Sequence, residues 1–420
     1  MKNKDKKFHP KQGRGVFVGL SGGVDSAVSA ALLKKEGYAV TGVFIKAWTP
    51  EGYPCTWKED RRSAMRVAAI LDIPFITLDL EKEYKKEVVD YMVTEYKKGR
   101  TPNPDVMCNK EIKFGHFLKF ALKNGADFVA TGHYARISKS KQHQKASLKK
   151  SSGSLASLGQ TFLENFSELL IEGADKNKDQ SYFLWTLTQK QLKHVLFPVG
   201  HLQKSEVRSL AAKFGLPQAT RKDSQGLCFL GQVDMKEFLG RYISPKKGDV
   251  LNRNKEIIGH HNGAIFFTIG ERRGFTITKK SDKEVPLYVI AKDIKRNIVT
   301  VAPKIAFQKG ITDSEQKSAM KKVWLSPEKA TRGLFEEHFS VRPDSVIIKD
   351  INWVSGKMPD LSKTYSARVR YRQEKQKCII SKQNNYYQVT FEEPQTWVSG
   401  GQSLVLYDEE ICLGGGIINQ

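Results

Sequence analysis

The segment Gly19–Ser26, which reads GLSGGVDS, has the residue types of a phosphate-binding loop. Gly22 and Gly23 can adopt positive φ angles and let backbone N–H groups approach a phosphate, while Ser21 and Ser26 add hydroxyl donors. An apolar run precedes the loop and a helical pattern follows it, so the positive end of a helix dipole points at the same place. We therefore expect the loop to bind pyrophosphate. It is neither a Walker A loop nor a dinucleotide fingerprint, because no Gly-Lys-Ser/Thr follows and GxGxxG is absent.

Cys108, in the stretch TPNPDVMCNKEIKF, is a second place where chemistry is expected. Pro102 and Pro104 favour an extended approach to it, and a helix is predicted from about Lys110. A helix N-terminus and a nearby lysine predict a lowered thiol pKa and a reactive thiolate. Asp105, three residues earlier, offers a carboxylate that can take or give a proton.

Cys228, in DSQGLCFLG between Gly226 and Gly231, is predicted to be the second reactive thiol. Five cysteines without a CxxC pair or a His/Cys cluster predict neither a disulfide scaffold nor a side-chain metal site. This cysteine usage is typical of a reducing compartment. The other three cysteines are expected to be buried small hydrophobic residues: Cys55, Cys378 and Cys412.

The chain has 420 residues and a formal net charge of +24. Lys and Arg spread along the whole chain favour a polyanionic partner, although a solvated basic surface gives the same composition. No apolar run reaches the ~18 residues that a membrane span needs, and the basic N-terminus lacks the apolar segment of a secretory signal. We expect a cytoplasmic protein without a membrane partner, and leave open a short organelle-targeting arm.

Strand and helix patterns alternate through the first half of the chain, which predicts an α/β domain with a parallel sheet. Ligands of such sheets bind beyond the carboxyl ends of the strands, where the GLSGGVDS loop is expected. The predicted strands are Gly15–Leu20, Ala39–Ile45, Phe75–Leu80 and Asp127–Thr131. The predicted helices are Ser26–Lys35, Arg61–Leu71, Tyr84–Lys98, Glu111–Lys123 and Lys204–Phe214.

From about Gly248 the pattern changes to short strands and turns, which is typical of small β domains or barrels. The predicted strands there are Ala264–Ile269, Leu287–Ile290, Ile298–Val301, Tyr365–Tyr371, Tyr386–Phe391 and Ser403–Tyr407. We predict three domains: 13–225 with a basic Lys/Ser/Gln-rich insertion at 137–177, a mainly β central domain at 226–290, and a C-terminal β-barrel at 291–420 with an insertion at about 304–344.

The order strand–SGGVDS–helix resembles the PP-loop ATP pyrophosphatases, whose fold is the adenine nucleotide alpha hydrolase-like parallel sheet. That family cleaves ATP between its α and β phosphates and transfers AMP to an oxygen. A chance Gly-Ser turn is the alternative. The resemblance implies that Asp25 helps to hold magnesium pyrophosphate and that Ile45 lines the adenine pocket. It implies ATP contacts from Gly19, Leu20, Ser21, Gly22, Gly23, Val24, Asp25, Ser26, Ile45 and Gly132.

A second set of motifs makes the resemblance more specific. The chain is similar to the tRNA-specific 2-thiouridylases of the MnmA (TrmU) type from about Gly15 to its C-terminus, outside the N-terminal arm, the basic insertion and the region Lys304–Asp344. Glu271 stands where that family usually has Gln. The motifs, in family order, are SGGVDS, NPDVMCNKEIKF, TGHYAR, KDQSYFL, DSQGLCF, TIGERRGF, RVRYRQ and CLGGGII.

This resemblance implies thiolation of the wobble uridine U34, with ATP and Mg²⁺ used to adenylate its C2 oxygen. Cys228 would carry a persulfide, and Cys108 would be the nucleophile that ends in a transient Cys108–Cys228 disulfide. Asp105 would be the acid/base near the uracil, while Asn103 and Pro104 would shape the pocket for the flipped base. The implied partners are Glu-, Gln- and Lys-type tRNAs and an upstream sulfur-relay protein or cysteine desulfurase.

Further tRNA contacts are implied by the same motifs. His133 is expected at the mouth of the site, with a satisfied structural histidine as the alternative. Alternation along a strand predicts that Arg368, Arg370 and Arg372 share one basic face. Arg272 and Arg273 are plausible phosphate binders. The implied tRNA contacts are Asn103, Pro104, Asp105, His133, Lys178, Asp179, Gln180, Arg370, Tyr371 and Gln402.

Two other functions stay open at this point. A PP-loop amide or C–N ligase, such as a GMP-synthetase-like or argininosuccinate-synthetase-like enzyme, needs neither Cys108 nor Cys228, so replacing either cysteine would leave its activity intact. A non-catalytic RNA-binding protein with a vestigial nucleotide fold would form no AMP from ATP in the presence of tRNA.

Overall fold

The computed structural model describes residues 13–53, 57–141, 166–221, 226, 228–231, 233–279, 285–303 and 343–419. The N-terminal arm, Cys55 and most of the two predicted insertions lie outside these ranges. Within them, no helix is both long and apolar enough to cross a bilayer.

The N-terminal domain is built on a parallel sheet with the strand order β3-β2-β1-β4-β7, which confirms the predicted fold class. Its central strands are continuous apolar runs because both faces of the sheet are covered. The strands are β1 Gly15–Gly19, β2 Ala39–Lys46, β3 Phe75–Asp79, β4 Phe128–Ala130 and β7 Val195–Leu196. The longer helices are α1 Val24–Lys35, α2 Trp57–Ile70 and α8 Lys204–Lys213.

Two of the predicted helices contain π-helical turns, in which each backbone bond spans one more residue than in an α-helix. The first runs through α3 Glu81–Tyr84, a π segment Lys85–Asp90 and α4 Tyr91–Lys97. The second runs through α5 Pro104–Met107, a π segment Cys108–Phe117 and α6 Leu118–Lys123. Local helix propensity does not reveal the π turns, and the sequence pattern predicted only two ordinary helices.

The central domain contains a five-stranded sheet with the order β10-β9-β8-β12-β11. The predicted boundary at 290/291 is wrong, because it falls inside β11 and because β12 pairs in parallel with β8. Residues 264–269 do not form the predicted strand. They begin with a 3₁₀ turn, Ala264–Phe266, whose first N–H is bonded to the Asn297 side chain at 2.8 Å. The strands are β8 Gly248–Leu251, β9 Ile257–His261, β10 Phe275–Ile277, β11 Leu287–Asp293 and β12 Ile298–Pro303. The short helix α9 Met235–Gly240 precedes this domain along the chain, whereas the short helix α7 Gln189–Leu192 contacts β6 and β7.

The C-terminal domain is a β-barrel, as predicted, and pairing between β13 and β18 closes it. The hairpin β5 Ala135–Lys141 and β6 Phe166–Glu172 extends the same sheet through β18. The two ends of the predicted basic insertion at 137–177 are therefore strand residues of this sheet. The barrel strands are β13 Ser345–Trp353, β14 Tyr365–Arg368, β15 Gln376–Gln383, β16 Tyr386–Phe391, β17 Ser403–Asp408 and β18 Ile411–Ile418.

The barrel packs directly on the N-terminal domain. The Tyr182 hydroxyl donates to the Ser403 carbonyl at 2.8 Å, and the Trp185 indole N–H donates to the Ser403 hydroxyl at 3.0 Å. The Thr101 N–H donates to the Gly400 carbonyl at 2.8 Å. The barrel therefore fixes the segment that leads into α5.

Candidate functional site

The phosphate-binding loop is a tight turn between the end of β1 and the start of α1. Gly22 has φ +79°, and a Cβ at that position would lie 2.7 Å from the Asp60 carbonyl oxygen, so only glycine fits. Arg221 Nη1 and the Ser63 hydroxyl donate to the Gly22 carbonyl at 2.8 and 3.1 Å. Arg221 also forms an ion pair with Asp60 at 2.6 Å. The loop is therefore held from outside by α2 and by the segment after α8.

Inside the loop, serine hydroxyls complete the turn. The Ser21 N–H donates to Ser26 Oγ at 3.2 Å, and Ser26 Oγ donates to the Gly23 carbonyl at 3.1 Å. Gly23 is the N-cap of α1 and has no side chain to accept from the first helical turn. The first-turn amides of α1 consequently have no side-chain cap, which is the arrangement that binds a phosphate.

Asp25, in the first turn of α1, is surrounded by donors that the sequence did not reveal. Lys204 Nζ donates to both carboxylate oxygens at 2.7 and 2.8 Å, and the Tyr134 hydroxyl donates at 2.7 Å. Gly132 packs against the same turn, where an added Cβ would lie 2.7 Å from the Ser26 nitrogen. Gly132 is thus placed at the loop, as expected.

The remaining residues predicted to bind ATP have buried side chains. Leu20 and Val24 belong to the core on one side of the sheet, so only their backbone faces the loop. Ile45 lies near the end of β2 within the other core cluster, which also contains Tyr84 and Cys108.

The two predicted reactive thiols lie together. Cys108 Sγ is 3.1 Å from Cys228 Sγ although 120 positions separate them in sequence. Asp105 Oδ1 accepts from the Cys228 N–H at 3.0 Å, and the Tyr84 hydroxyl donates to the Cys228 carbonyl at 2.6 Å. Two separate segments therefore hold the Cys228 backbone beside Cys108.

The predicted lowering of the Cys108 pKa is wrong. Cys108 is fully buried at the start of the π segment, and this burial raises the pKa of its thiol. Lys110 is exposed and pairs with Glu111 at 3.0 Å. The pKa of Cys228 is the lowered one, first because the Cys108 thiol donates a hydrogen bond to it and further because of the Lys113 ammonium.

Asp105 faces the same two sulfurs. Burial raises its pKa above the ordinary range, which is partly offset by the hydrogen bond from Cys228 and by Lys113. A carboxyl group with a raised pKa is better suited to exchange protons near neutral pH than an exposed one.

Lys113 is a site residue that the sequence reading missed. Its Nζ lies 3.5 Å from His133 Nε2 and 5.9 Å from the centre of the Phe229 ring. It hydrogen-bonds to Cys228, and the nearby Cys228 and Cys108 raise its pKa although burial opposes this. The spacing i, i+5 from Cys108 would identify it only if the π turn were known.

His133 does not lie at the mouth of the site, contrary to prediction. It is 6% exposed and packs between the rings of Phe114 and Phe197. Its Nδ1 is 2.7 Å from Thr131 Oγ1. Burial, together with Lys113, lowers its pKa well below the ordinary value, so the imidazole is neutral.

Several residues predicted to contact tRNA form hydrogen bonds within the protein. Asp179 is 3% exposed, and its carboxylate accepts from Ser181 and from Arg368 at 3.1 Å, so the prediction of a direct tRNA contact is wrong for its side chain. Gln180 Oε1 accepts from the Tyr134 N–H at 3.0 Å. Gln402 Nε2 donates to the Thr101 carbonyl at 2.9 Å.

The predicted basic strand face is also wrong, because β14 ends at Arg368. Arg368 forms ion pairs with Glu172 and Asp179 at 3.0 and 3.1 Å. Arg370 donates to the Ser399 hydroxyl at 3.2 Å, and Arg372 has a positive φ in the following turn.

Other predicted contacts lie at partly exposed positions. Tyr371 packs on Phe183 with ring centres 4.4 Å apart, close to the Tyr182 ring. Asn103 caps α5 by accepting from the Val106 N–H at 3.3 Å. The remaining members of this group are Pro104 and Lys178, with Arg272 and Arg273 more exposed.

Cys378 and Cys412 are buried in the barrel, as expected for small hydrophobic residues. Burial raises the pKa of each thiol to about 12. In the part of the chain that the structure describes, no group of three or more His, Cys, Asp or Glu side chains could hold a metal ion.

Fold and site together define a PP-loop α/β protein that carries a thiol pair and two appended β domains. Residues 14–232 match the family model described as the tRNA methyl transferase HUP domain. Residues 236–303 match a tRNA methyl transferase PRC-barrel domain, and residues 343–418 match an aminomethyltransferase beta-barrel domain.

Curated relatives cover almost the whole chain. The tRNA-specific 2-thiouridylase MnmA of Nitrosomonas europaea is 39% identical over 407 residues, which cover 96% of this chain and 97% of the relative. MnmA of Streptococcus thermophilus is 40% identical over 408 residues, which cover 96% of this chain and 95% of the relative. The chain belongs to the tRNA-specific 2-thiouridylase MnmA family.

Solved structures are much less similar. The U34-tRNA thiolase NcsA from Methanococcus maripaludis aligns with 55% of this chain and 65% of its own, at 18% identity and a TM-score of 0.31. A likeness at this level adds nothing to the assignment.

Proposed function

We propose that this protein is a tRNA 2-thiouridylase, an ATP-dependent sulfurtransferase that converts the wobble uridine U34 into 2-thiouridine and releases AMP and pyrophosphate. The observation that carries the proposal is the Cys108–Cys228 pair, with 3.1 Å between its sulfurs, in the same domain as the phosphate-binding loop. Family membership supports the choice of tRNA as the acceptor.

ATP is the substrate of the first step, in which the uridine is activated by adenylation. The uncapped first turn of α1 and the open space at Gly23 fit its phosphates, because a Cβ at Gly23 would meet only Ser21 Oγ at 3.4 Å. When bound, Mg²⁺ would neutralise phosphate charge, and Asp25 is the carboxylate in place to hold it. Lys204, which now pairs with Asp25, then becomes available to the phosphates.

Activation gives the uridine a leaving group. The C2 oxygen of U34 attacks the α-phosphorus of ATP, pyrophosphate leaves, and Asp105 accepts the N3 proton. Asn103 and Pro104, at the start of α5 beside Asp105, are proposed to shape the pocket for the flipped base. Tyr371, which packs on Phe183 with ring centres 4.4 Å apart, offers an aromatic face nearby.

Sulfur transfer uses the thiol pair. A persulfide donor first places its terminal sulfur on Cys228. Asp105 first releases the N3 proton to solvent. Cys108 then loses its proton to Asp105 and attacks the Cys228 sulfur, so a disulfide forms and the terminal sulfur leaves with the electron pair as hydrosulfide. Hydrosulfide adds to C2, AMP leaves, and the sulfur-borne proton restores N3–H. A dithiol reductant then supplies the two electrons that reopen the disulfide.

The wider assignments follow from this function. The tRNAs proposed are those of the Glu, Gln and Lys type, the sulfur comes from a relay protein or a cysteine desulfurase, and the location is cytoplasmic. The net charge of +24 supports binding of the tRNA backbone. We propose three domains: an N-terminal one whose β5–β6 hairpin joins the barrel sheet, a central one that ends with β12 at Pro303, and the C-terminal barrel.

The test is a complete single-turnover reaction with the purified protein, ATP, magnesium, a low-molecular-weight persulfide as sulfur donor and an unmodified tRNA transcript. We expect 2-thiouridine by nucleoside mass spectrometry and equal amounts of AMP and pyrophosphate. A transcript with cytidine at position 34 is the matched control and should stay unmodified. AMP formation on a small acceptor without 2-thiouridine would indicate a ligase, and no AMP with tRNA would indicate an RNA-binding protein.

A further inference from the structure

Residues Thr131–Tyr134 run between the phosphate-binding loop and the thiol pair. Successive residues face these two parts of the site in turn. Gly132 packs on the first turn of α1, and the Tyr134 hydroxyl donates to Asp25. Thr131 and His133 face the other way, toward Lys113. Such alternation is the behaviour of extended backbone, in which successive side chains point to opposite sides.

His133 is held in one state by its surroundings. Two phenylalanine rings enclose it, and it lies 2.7 Å from Thr131 Oγ1 and 3.5 Å from Lys113 Nζ. Because an ammonium group can only donate, Nε2 of the neutral ring accepts from Lys113 and Nδ1–H donates to Thr131. The ring therefore orients Lys113 without competing with it for a proton.

We infer that Lys113, oriented by neutral His133, is a positioning residue that stabilises the Cys228 thiolate beside Cys108, the form in which Cys228 accepts sulfur from the persulfide donor. Two contacts of Lys113 carry the inference: the approach of its Nζ to His133 Nε2 at 3.5 Å, and the cation–π distance of 5.9 Å to Phe229, the residue after Cys228. The inference deepens the proposed function, since it assigns a role within the same sulfur-transfer site.

The charge balance at Cys228 supports a lysine in this role. The titratable groups that face Cys228 are Tyr84 at the end of α3, Asp105 in α5, and Cys108 and Lys113 in the π segment. Asp105 opposes a second negative charge beside it, while Lys113 lowers the pKa of the Cys228 thiol. The π turn places Lys113 there, because an α-helical turn would carry residue 113 out of line with Cys108.

The experiment measures the Cys228 thiolate directly, without ATP or tRNA, so that its outcome is independent of the proposed function. In a Cys108→Ser background, alkylation of the Cys228 peptide by iodoacetamide is followed by mass spectrometry across a pH series. We expect a midpoint below the ordinary thiol value of about 8.5. Lys113→Met should raise the midpoint, with about a tenfold slower alkylation at pH 7 for each unit. Lys113→Arg should restore most of the shift.

Two results would overturn the inference. One is a folded Lys113→Met variant, judged by its unfolding temperature, whose midpoint equals that of the background protein. The other is a folded Lys113→Arg variant whose midpoint equals that of Lys113→Met, because a cation at this position should restore the shift. In the full reaction, Lys113→Met should lose 2-thiouridine formation while pyrophosphate release with tRNA continues, and loss of both in a folded variant would also contradict the assigned role.

Discussion

The loop Gly19–Ser26 takes its shape from consecutive residues between one strand and one helix, whereas the thiol pair joins two residues that are 120 positions apart. In the loop, serine hydroxyls and glycine conformations make the local turn. In the thiol pair, Tyr84 and Asp105 hold Cys228 from two other segments. A contiguous motif can therefore be predicted as a site from the sequence. Residues that are far apart in the sequence can be predicted only as separate candidates.

The two halves also differ in how charge is handled. At the loop, Asp25 is paired directly with Lys204 at a partly exposed position. At the thiol pair, burial raises the pKa of Cys108 while hydrogen bonding lowers that of Cys228. The pKa values of the two neighbouring thiols therefore differ. Segregation of pKa values within a pair is the usual way in which one group becomes donor and the other acceptor.

Substitution of the two site cysteines should separate sulfur transfer from uridine activation more clearly than any other change. Cys108→Ala and Cys228→Ala should each reduce 2-thiouridine formation by about 10³-fold or more, because a covalent nucleophile has no substitute. Pyrophosphate release and formation of adenylated tRNA should persist, since the loop is untouched. 2-Thiouridine and pyrophosphate are measured in one reaction by mass spectrometry and chromatography. Cys378→Ala in the barrel is the matched control and should retain both, whereas full activity in either site variant would favour the ligase.

Gly132→Ala should affect the activating half first. An added Cβ would lie 2.7 Å from the Ser26 nitrogen and 2.8 Å from the Asp25 carbonyl carbon, both of which are backbone atoms. Displacing the first turn of α1 should slow AMP formation by about 10²-fold. Gly240→Ala is a matched control with open space around the new methyl group. Normal AMP formation in Gly132→Ala would show that the loop does not depend on the bridging segment.

Acid stability tests the state assigned to His133. Its folded pKa is well below that of an unfolded histidine, so the unfolded chain binds more protons below about pH 6.5. Stability should therefore fall as the pH falls, by about 1.4 kcal/mol for each unit below 6.5. Urea unfolding at pH 7.5 and 5.5 measures this change. His133→Asn should show a smaller decrease, and an unchanged decrease would mean that His133 is not buried as a neutral ring.

The smallest expected effect concerns the contact between the barrel and the thiol half. Gln402→Ala removes the hydrogen bonds to the Thr101 and Pro102 carbonyls at 2.9 and 3.3 Å. We expect a loss of about 1–2 kcal/mol in the free energy of unfolding, measured by urea denaturation. Sulfur transfer should decline more than pyrophosphate release, because this contact fixes the segment before Asp105. Equal losses in the two steps would argue against that link, and Gln402→Glu, which keeps the shape but not the donor, serves as the comparison.

Much of the fold follows from pattern, and the failures have specific physical causes. The parallel sheet was predictable because its strands are apolar runs separated by amphipathic helices. Residues 264–269 were mistaken for a strand because a buried turn and a buried strand have the same composition. The strand predicted to end at Tyr371 stops at Arg368, since the Val369 N–H is bonded to the Gln373 side chain at 3.1 Å.

By itself, the sequence determined the phosphate-binding loop and the class of fold, because residue type and local spacing are sufficient for each, and it singled out Cys108 and Cys228 as candidates. Tertiary structure alone decided which thiol has the lowered pKa, because burial and the donors around a sulfur come from segments far apart in the chain. It also decided that His133 and Asp179 are internal and that Lys113 belongs to the site. The physical reasons are the π turn, which brings Lys113 into line with Cys108, and the burial of the His133 ring. Local composition reveals neither.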